Sequence, residues 1–132
     1  MEILPPKKVK VIEMEIKGMG VVATEDIKVG EIIETCPVVF ISKEEVEFFE
    51  KEKTPLKFYY LIESDTNKFC LMLGYGSIYN HSITPNADVE YNYDKAERYV
   101  FFRAIKNIKT GEEIMFDYEF DEDFPEEFLK QD

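Results

Sequence analysis

The sequence predicts one mainly β domain with short helices, and three observations carry that expectation. Short runs of β-branched and aromatic residues alternate with charged ones, glycine- and asparagine-bearing turns separate them, and helical start signals are few. The 132 residues, 45% hydrophobic and 14% aromatic, suffice for one core and are too few for two, so residues 1–132 are expected to form a single domain.

Taken in order, Val9, Val11, Ile12, Met14 and Ile16 alternate with charges up to Lys17-Gly18-Met19-Gly20, a strand and turn, and Val21 to Ala23 continue as a second strand. Glu31 to Ile41 is a β-branched run interrupted by Pro37, which predicts two short strands or an edge strand, because proline cannot donate to a ladder. Ser42-Lys43-Glu44-Glu45 has the capping-box pattern, predicting a helix to about Lys53 that buries Val46 and Phe49. Thr54-Pro55 is expected to start a second helix with Phe58, Leu61 and Ile62 on one face. Lys68 to Leu73 returns to strand, and Gly74-Tyr75-Gly76 marks a turn. Ala87, Val89, Tyr91 and Tyr93, a turn at Asp94–Glu97, and Arg98 to Ala104 read as the clearest hairpin. Glu113 to Phe116 predicts a last strand and Asp123 to Lys130 a short capped helix.

One segment occurs twice. Ala23 to Ile33 and Ala104 to Ile114 align without a gap, six identities in eleven. Either Ile-Lys-x-Gly-Glu is a good β-turn sequence used twice, or two pseudo-equivalent small sheets face each other across a shared site. The spacing is too long for a solenoid.

Charge narrows the function. Sixteen Lys and Arg against 28 Asp and Glu give −12, which argues against a surface built to neutralise phosphates, so neither direct nucleic-acid binding nor an anionic membrane is expected. A Lys/Arg-rich peptide is the natural complement, although an acidic balance also keeps soluble proteins dispersed. Cys36 and Cys70 cannot make a disulfide framework, and with one histidine no spaced Cys/His set for a metal exists. No apolar run of membrane length occurs, and a cytoplasmic location is expected, or a nuclear one for a viral or eukaryotic source.

Three segments concentrate residues suited to chemistry. Gly18-Met19-Gly20 lets backbone approach a ligand closely, although such a pair also serves an ordinary tight turn, and no third glycine makes it a dinucleotide fingerprint. Asn80-His81-Ser82 followed by Pro85-Asn86 is rich in groups that fix a loop by hydrogen bonds. Gly111-Glu112-Glu113-Ile114-Met115-Phe116-Asp117-Tyr118 is a strand ending in Asp-Tyr. In this order and spacing the three resemble the SET-domain protein-lysine methyltransferases, from about Val9 to Phe124.

The resemblance implies a β-clip fold of small bent sheets around a threaded C-terminal segment, with core residues about 9–120. It implies S-adenosylmethionine as cofactor and a lysine in a basic protein, such as a histone, as substrate. A catalytically inactive SET-like module that binds peptide or cofactor is the alternative. By position, Tyr118 matches the catalytic tyrosine. Lys17, Gly18, Met19, Gly20, Asn80, His81, Tyr118 and Phe124 match cofactor-binding positions, and Tyr79, Phe116 and Tyr118 the substrate-lysine channel. No metal is implied. Phe116, where family members carry Phe or Tyr, leaves room for a methylated amine and points to di- or trimethylation.

Residues 1–132 carry no cysteine-rich segment, so a departure from many eukaryotic family members, which have such segments flanking the domain, is expected. The tail, residues 119–132 with Phe120, Phe124 and Phe128, is the expected cover for the pocket, with a homodimer as the alternative source. The insert at about 42–73 is short and acidic, carrying Glu44, Glu45, Glu47, Glu50 and Glu52, either a solvated face or a docking surface for a basic peptide.

Overall fold

The computed structural model describes residues 2–63, 68–92 and 98–118. The expected helix at Asp123–Lys130, the tail aromatics Phe120, Phe124 and Phe128, and the hairpin tip with Tyr93 lie outside these residues.

Strands β1 (Val9–Met14) and β2 (Gly18–Ala23) form an antiparallel hairpin, with Val9 opposite Ala23 and Met14 opposite Gly18. The alternating pattern had extended the first strand to Ile16. In the structure Glu15 to Lys17 form the turn, Gly18 opens β2 at φ +80°, and Ile16 stands 85% exposed. A glycine in the left-handed region closes this short connection without strain.

A five-stranded antiparallel sheet follows, in the order β4 (Tyr60–Glu63), β5 (Lys68–Met72), β3 (Ile32–Ile41), β8 (Tyr99–Ala104) and β7 (Ala87–Asn92). Strand β3 (Ile32–Ile41) runs unbroken through Pro37, contrary to the expected division. Its first half, to Pro37, pairs with β8 (Tyr99–Ala104), and Val38 onward pairs with β5 (Lys68–Met72). Proline falls at the handover between partners, where its missing N–H costs least, while its carbonyl still accepts from Leu73 N–H at 2.8 Å. A register shift between Ile32 and Glu34 buries two successive residues and sets Glu34 on the same inward face as Cys36 and Val38.

Helix α1 (Lys43–Lys51) starts at the predicted capping box: Glu45 N–H donates to Ser42 Oγ and Ser42 N–H to the Glu45 carboxylate. Val46 is buried, but Phe49 is only half-buried. The second helix predicted beyond Thr54 is a single 3-10 turn, Pro55–Phe58, and Leu61 and Ile62 belong to β4 (Tyr60–Glu63). Pairing with β5 along four residues, Tyr60 opposite Leu71 to Glu63 opposite Lys68, prevails over the helical pattern. Strand β7 (Ala87–Asn92) completes the predicted hairpin with β8.

The repeated segments bond to each other about a pseudo-twofold axis. Ile27 and Ile108, both fully buried, exchange reciprocal backbone hydrogen bonds of 2.8 Å. Gly30 N–H donates to the Ala104 carbonyl as Gly111 N–H does to that of Ala23, both at 2.8 Å. The Asn107 side chain accepts from Val29 N–H, and at the equivalent place Asp26 accepts from Thr110 N–H. The repeat therefore reflects paired structure as well as good turn chemistry. From this junction the chain leads into β9 (Met115–Phe116), which pairs in parallel with β6 (Asn80–His81). Among the described residues no helix is long and apolar enough to cross a membrane.

Candidate active site

Strands β6 and β9 bring the two C-terminal motifs together. Asn80 stands opposite Met115 and His81 opposite Phe116, so the residues after β9 run alongside the Asn-His-Ser loop. Asn86 locks this arrangement with three hydrogen bonds: its side-chain nitrogen donates to the Glu113 carbonyl, its side-chain oxygen accepts from Met115 N–H, and its own N–H donates to the Met115 carbonyl. A side-chain amide thus substitutes for a neighbouring strand and sets the direction of the chain toward Tyr118.

Tyr118 is fixed at both ends. Its backbone N–H donates to His81 Nδ1 at 3.0 Å, and its hydroxyl donates to the Tyr79 carbonyl. The first bond requires His81 Nδ1 to be unprotonated, which puts the ring proton on Nε2. The Asp117 carboxylate lies 3.7 Å from Nδ1. His81 is 5% exposed and spends Nδ1 on Tyr118, so its ring positions the tyrosine.

Aromatic rings surround the tyrosine. Phe116 lies 4.7 Å from the Tyr118 centroid and 5.2 Å from that of Phe102, and the Tyr79 ring stacks on Phe102 at 4.2 Å. The Tyr79 side chain, expected along the substrate channel, is instead fully buried with its hydroxyl donating to Glu34 Oε1 at 2.7 Å. What Tyr79 offers Tyr118 is its carbonyl. Burial raises the Glu34 carboxyl above the usual carboxylate range against the lowering effect of its hydrogen bonds. Burial and the adjacent carboxyl also push the Cys36 thiol and the Tyr79 phenol up.

On the other side of β6, Glu113 joins the remaining motif residues. Its carboxylate accepts from Lys17 Nζ at 2.9 Å and from the Asn80 side-chain nitrogen at 2.7 Å, and Asn80 also donates to the Met19 carbonyl at 2.9 Å. A Cβ on Gly20 would lie 2.8 Å from the Glu113 carboxylate and 2.5 Å from the Met14 methyl. The glycine thus admits these side chains, a reason the sequence did not reveal. Gly18 has open space around it. The structure thus gathers Lys17, Gly18, Met19, Gly20, Asn80, His81, Phe116 and Tyr118 about β6 and β9, while Phe124 lies outside the described residues. Among the described residues no group of three or more His, Cys, Asp or Glu could hold a metal ion.

Sequence reasoning gave Asn86 a loop-fixing role, in keeping with its three hydrogen bonds, but assigned no part in this site to Glu113 or Glu34. Signals existed for both. Glu113 falls where the repeat has Ile32, an acid in place of an apolar residue, and Glu34 is a lone acid inside an otherwise apolar inward-facing run.

Curled sheets meeting at a β6–β9 pair, with a strand-end tyrosine held by an Asn-His loop, define a SET domain, and the SET-domain family model matches residues 18–119. The chain belongs to the SET-domain family, a class of S-adenosylmethionine-dependent protein-lysine methyltransferases. It is 38% identical over 106 residues to a Schizosaccharomyces pombe histone-lysine N-methyltransferase specific for H3 lysine-37, a match covering 80% of this chain and 69% of that protein. It is 32% identical over 124 residues to a Candida albicans enzyme specific for H3 lysine-36, covering 86% of this chain but 14% of the longer protein. A crystal structure of a Plasmodium falciparum protein provisionally assigned as a histone methyltransferase superposes with a TM-score of 0.66 at 33% identity, covering 88% of this chain and 96% of that one.

Proposed function

We propose that the chain transfers a methyl group from S-adenosylmethionine to the ε-amine of a lysine in a basic protein segment of histone type. Similarity to histone-lysine N-methyltransferases supports the substrate class. One observation carries the chemistry: the Tyr118 hydroxyl gives its only proton to the Tyr79 carbonyl. A phenol oxygen so engaged has only acceptor capacity left, and it stands beside the cofactor-matching residues Asn80 and His81.

The residues fit an amino-acid head group. Lys17 supplies a cation for a carboxylate, and Asn80 and the open backbone at Gly18 supply groups that can turn to a ligand. When bound, S-adenosylmethionine supplies an electrophilic methyl on a sulfonium. The protein aligns the lysine amine and excludes water. Lysine has a pKa of about 10.4 in water and must lose its proton to act as a nucleophile. Apolar walls such as Phe116 favour the neutral amine by desolvation, and a nearby positive charge adds to that effect. Tyr118 then accepts an N–H of the amine, which turns the lone pair away from the phenol, and its oxygen places partial negative charge near the electron-poor carbon.

The test is incubation with tritiated cofactor and mixtures of histones, other chromatin proteins and ribosomal proteins. Label should enter lysine in a basic protein. Tyr118→Phe should leave cofactor affinity within about twofold and lower turnover by about 100-fold or more, since it removes the phenol oxygen that would face the amine. Wild-type turnover by that variant would refute the role given to Tyr118.

A further inference from the structure

Glu34 lies on β3, two elements away from the reacting groups, yet it is the most deeply buried carboxylate among the described residues, at 4% exposure. The register shift in β3 turns it inward, and no Lys, Arg or His among the described residues lies within ion-pair distance of it. Two donors converge on it, the Tyr79 hydroxyl at 2.7 Å and the Tyr75 N–H at 3.0 Å. Gly74, at φ +66°, belongs to the same cradle, because a Cβ there would lie 2.5 Å from Glu34 Oε2. An enclosed carboxylate with a dedicated backbone donor and a glycine shaped around it is costly to maintain if it only fills space.

The Tyr79 side chain is what this arrangement holds. Its ring is clamped between Glu34 at the hydroxyl and Phe102 on its face, while its carbonyl receives the Tyr118 hydroxyl. The ring and the carbonyl belong to one residue, so fixing the first limits rotation of the second. We propose that Glu34 is a positioning residue for methyl transfer: through Tyr79 it holds the carbonyl that orients the Tyr118 hydroxyl. This inference rests on the methyltransferase reading of Tyr118 and adds to it a residue that touches neither substrate nor cofactor.

The path predicts which kinetic constant changes. Cofactor groups at Lys17 and Asn80 lie on the opposite side of β6 and do not depend on the Glu34–Tyr79 bond. Tyr79→Phe keeps the ring and its stacking and removes only the hydroxyl. Glu34→Gln keeps an acceptor for the Tyr75 N–H but sets an NH2 donor against Tyr79, so the Tyr79 hydroxyl must turn from donor to acceptor and its ring loses the charge-assisted hold. Each should lower kcat by about 10- to 100-fold, the scale of a small misplacement in a site, with peptide KM and calorimetric cofactor Kd within about twofold. The double variant should be little worse than either single one. With tyrosine labelled at 13Cζ, the Tyr118 resonance, assigned by its loss in Tyr118→Phe, should shift in both variants at fixed pH.

Wild-type kcat in Tyr79→Phe, or a fall in kcat matched by lost cofactor binding, would overturn the proposal. If Glu34→Gln fails to fold, Tyr79→Phe alone decides. If the wild-type protein transfers no methyl to any substrate, the methyltransferase reading fails by itself. The Tyr118 resonance then decides the linkage: a shift in Tyr79→Phe supports it, and an unmoved line overturns it.

Discussion

Phe116 and Tyr118 stand two residues apart, their rings 4.7 Å from each other, and Phe116 is almost wholly buried. A hydroxyl added to Phe116 would bring a second polar group beside the tyrosine and take space from a methylated amine. Phe116→Tyr should therefore shift the product toward monomethyl-lysine, read by mass spectrometry of the product peptide. The same methylation pattern from both proteins would remove Phe116 from the control of product number. At this scale order and spacing let the sequence single out Tyr118, Asn80 and His81, which the structure brings side by side. The sequence did not make their bonds readable. His81 gives Nδ1 to the backbone of Tyr118, and Asn80 gives its amide to Met19 and Glu113, partners that only the folded chain brings near.

Between elements, the two repeated arms place Asp26 in one where the other has Asn107, each accepting a backbone N–H from the opposite arm. The backbone N–H of Thr110, and then its hydroxyl, hold the Asp26 carboxyl below the usual range. A carboxyl so lowered stabilises the fold above its unfolded value, about 3.9, and that contribution is lost as pH falls through the lower folded value. Asp26→Asn keeps the acceptor, as Asn107 does, and removes the titration. The thermal midpoint of the variant should decline less steeply below about pH 4 than that of the wild type. Equal acid slopes would show that Asp26 contributes nothing to acid sensitivity. Glu34 acts in the opposite sense: its raised carboxyl favours the fold at acid pH, and that contribution fades as pH rises through the folded value. Strands read well from the sequence wherever apolar and charged residues alternated, as in β7 and β8. They read poorly where long-range pairing decided the outcome: β4 gains its conformation from β5, and Pro37 is tolerated because β3 changes partners there.

For the whole molecule, the net charge of −12 acquires a direction once a lysine-bearing segment is the substrate. Glu44, Glu45, Glu47, Glu50 and Glu52 are exposed on and just after α1, where long-range attraction speeds encounter with a cationic peptide. Raising salt from low to physiological levels should raise peptide KM severalfold while cofactor Kd changes by less than about twofold, because partly buried groups such as Lys17 are screened less. Equal salt dependence of the two constants would assign the charge to solubility alone.

The pseudo-twofold junction between Ala23–Ile33 and Ala104–Ile114 is, in physical terms, a symmetric dimer interface whose halves are joined by covalent chain. Two separate arms would associate to a degree set by their dilution. Tethering replaces that dilution with a fixed effective concentration on the order of millimolar or higher. The pairing that carries the chain into β9 and Tyr118 is thus independent of how much protein is present, and the Tyr118 end of the chain is delivered to the Asn-His-Ser loop by an intramolecular encounter.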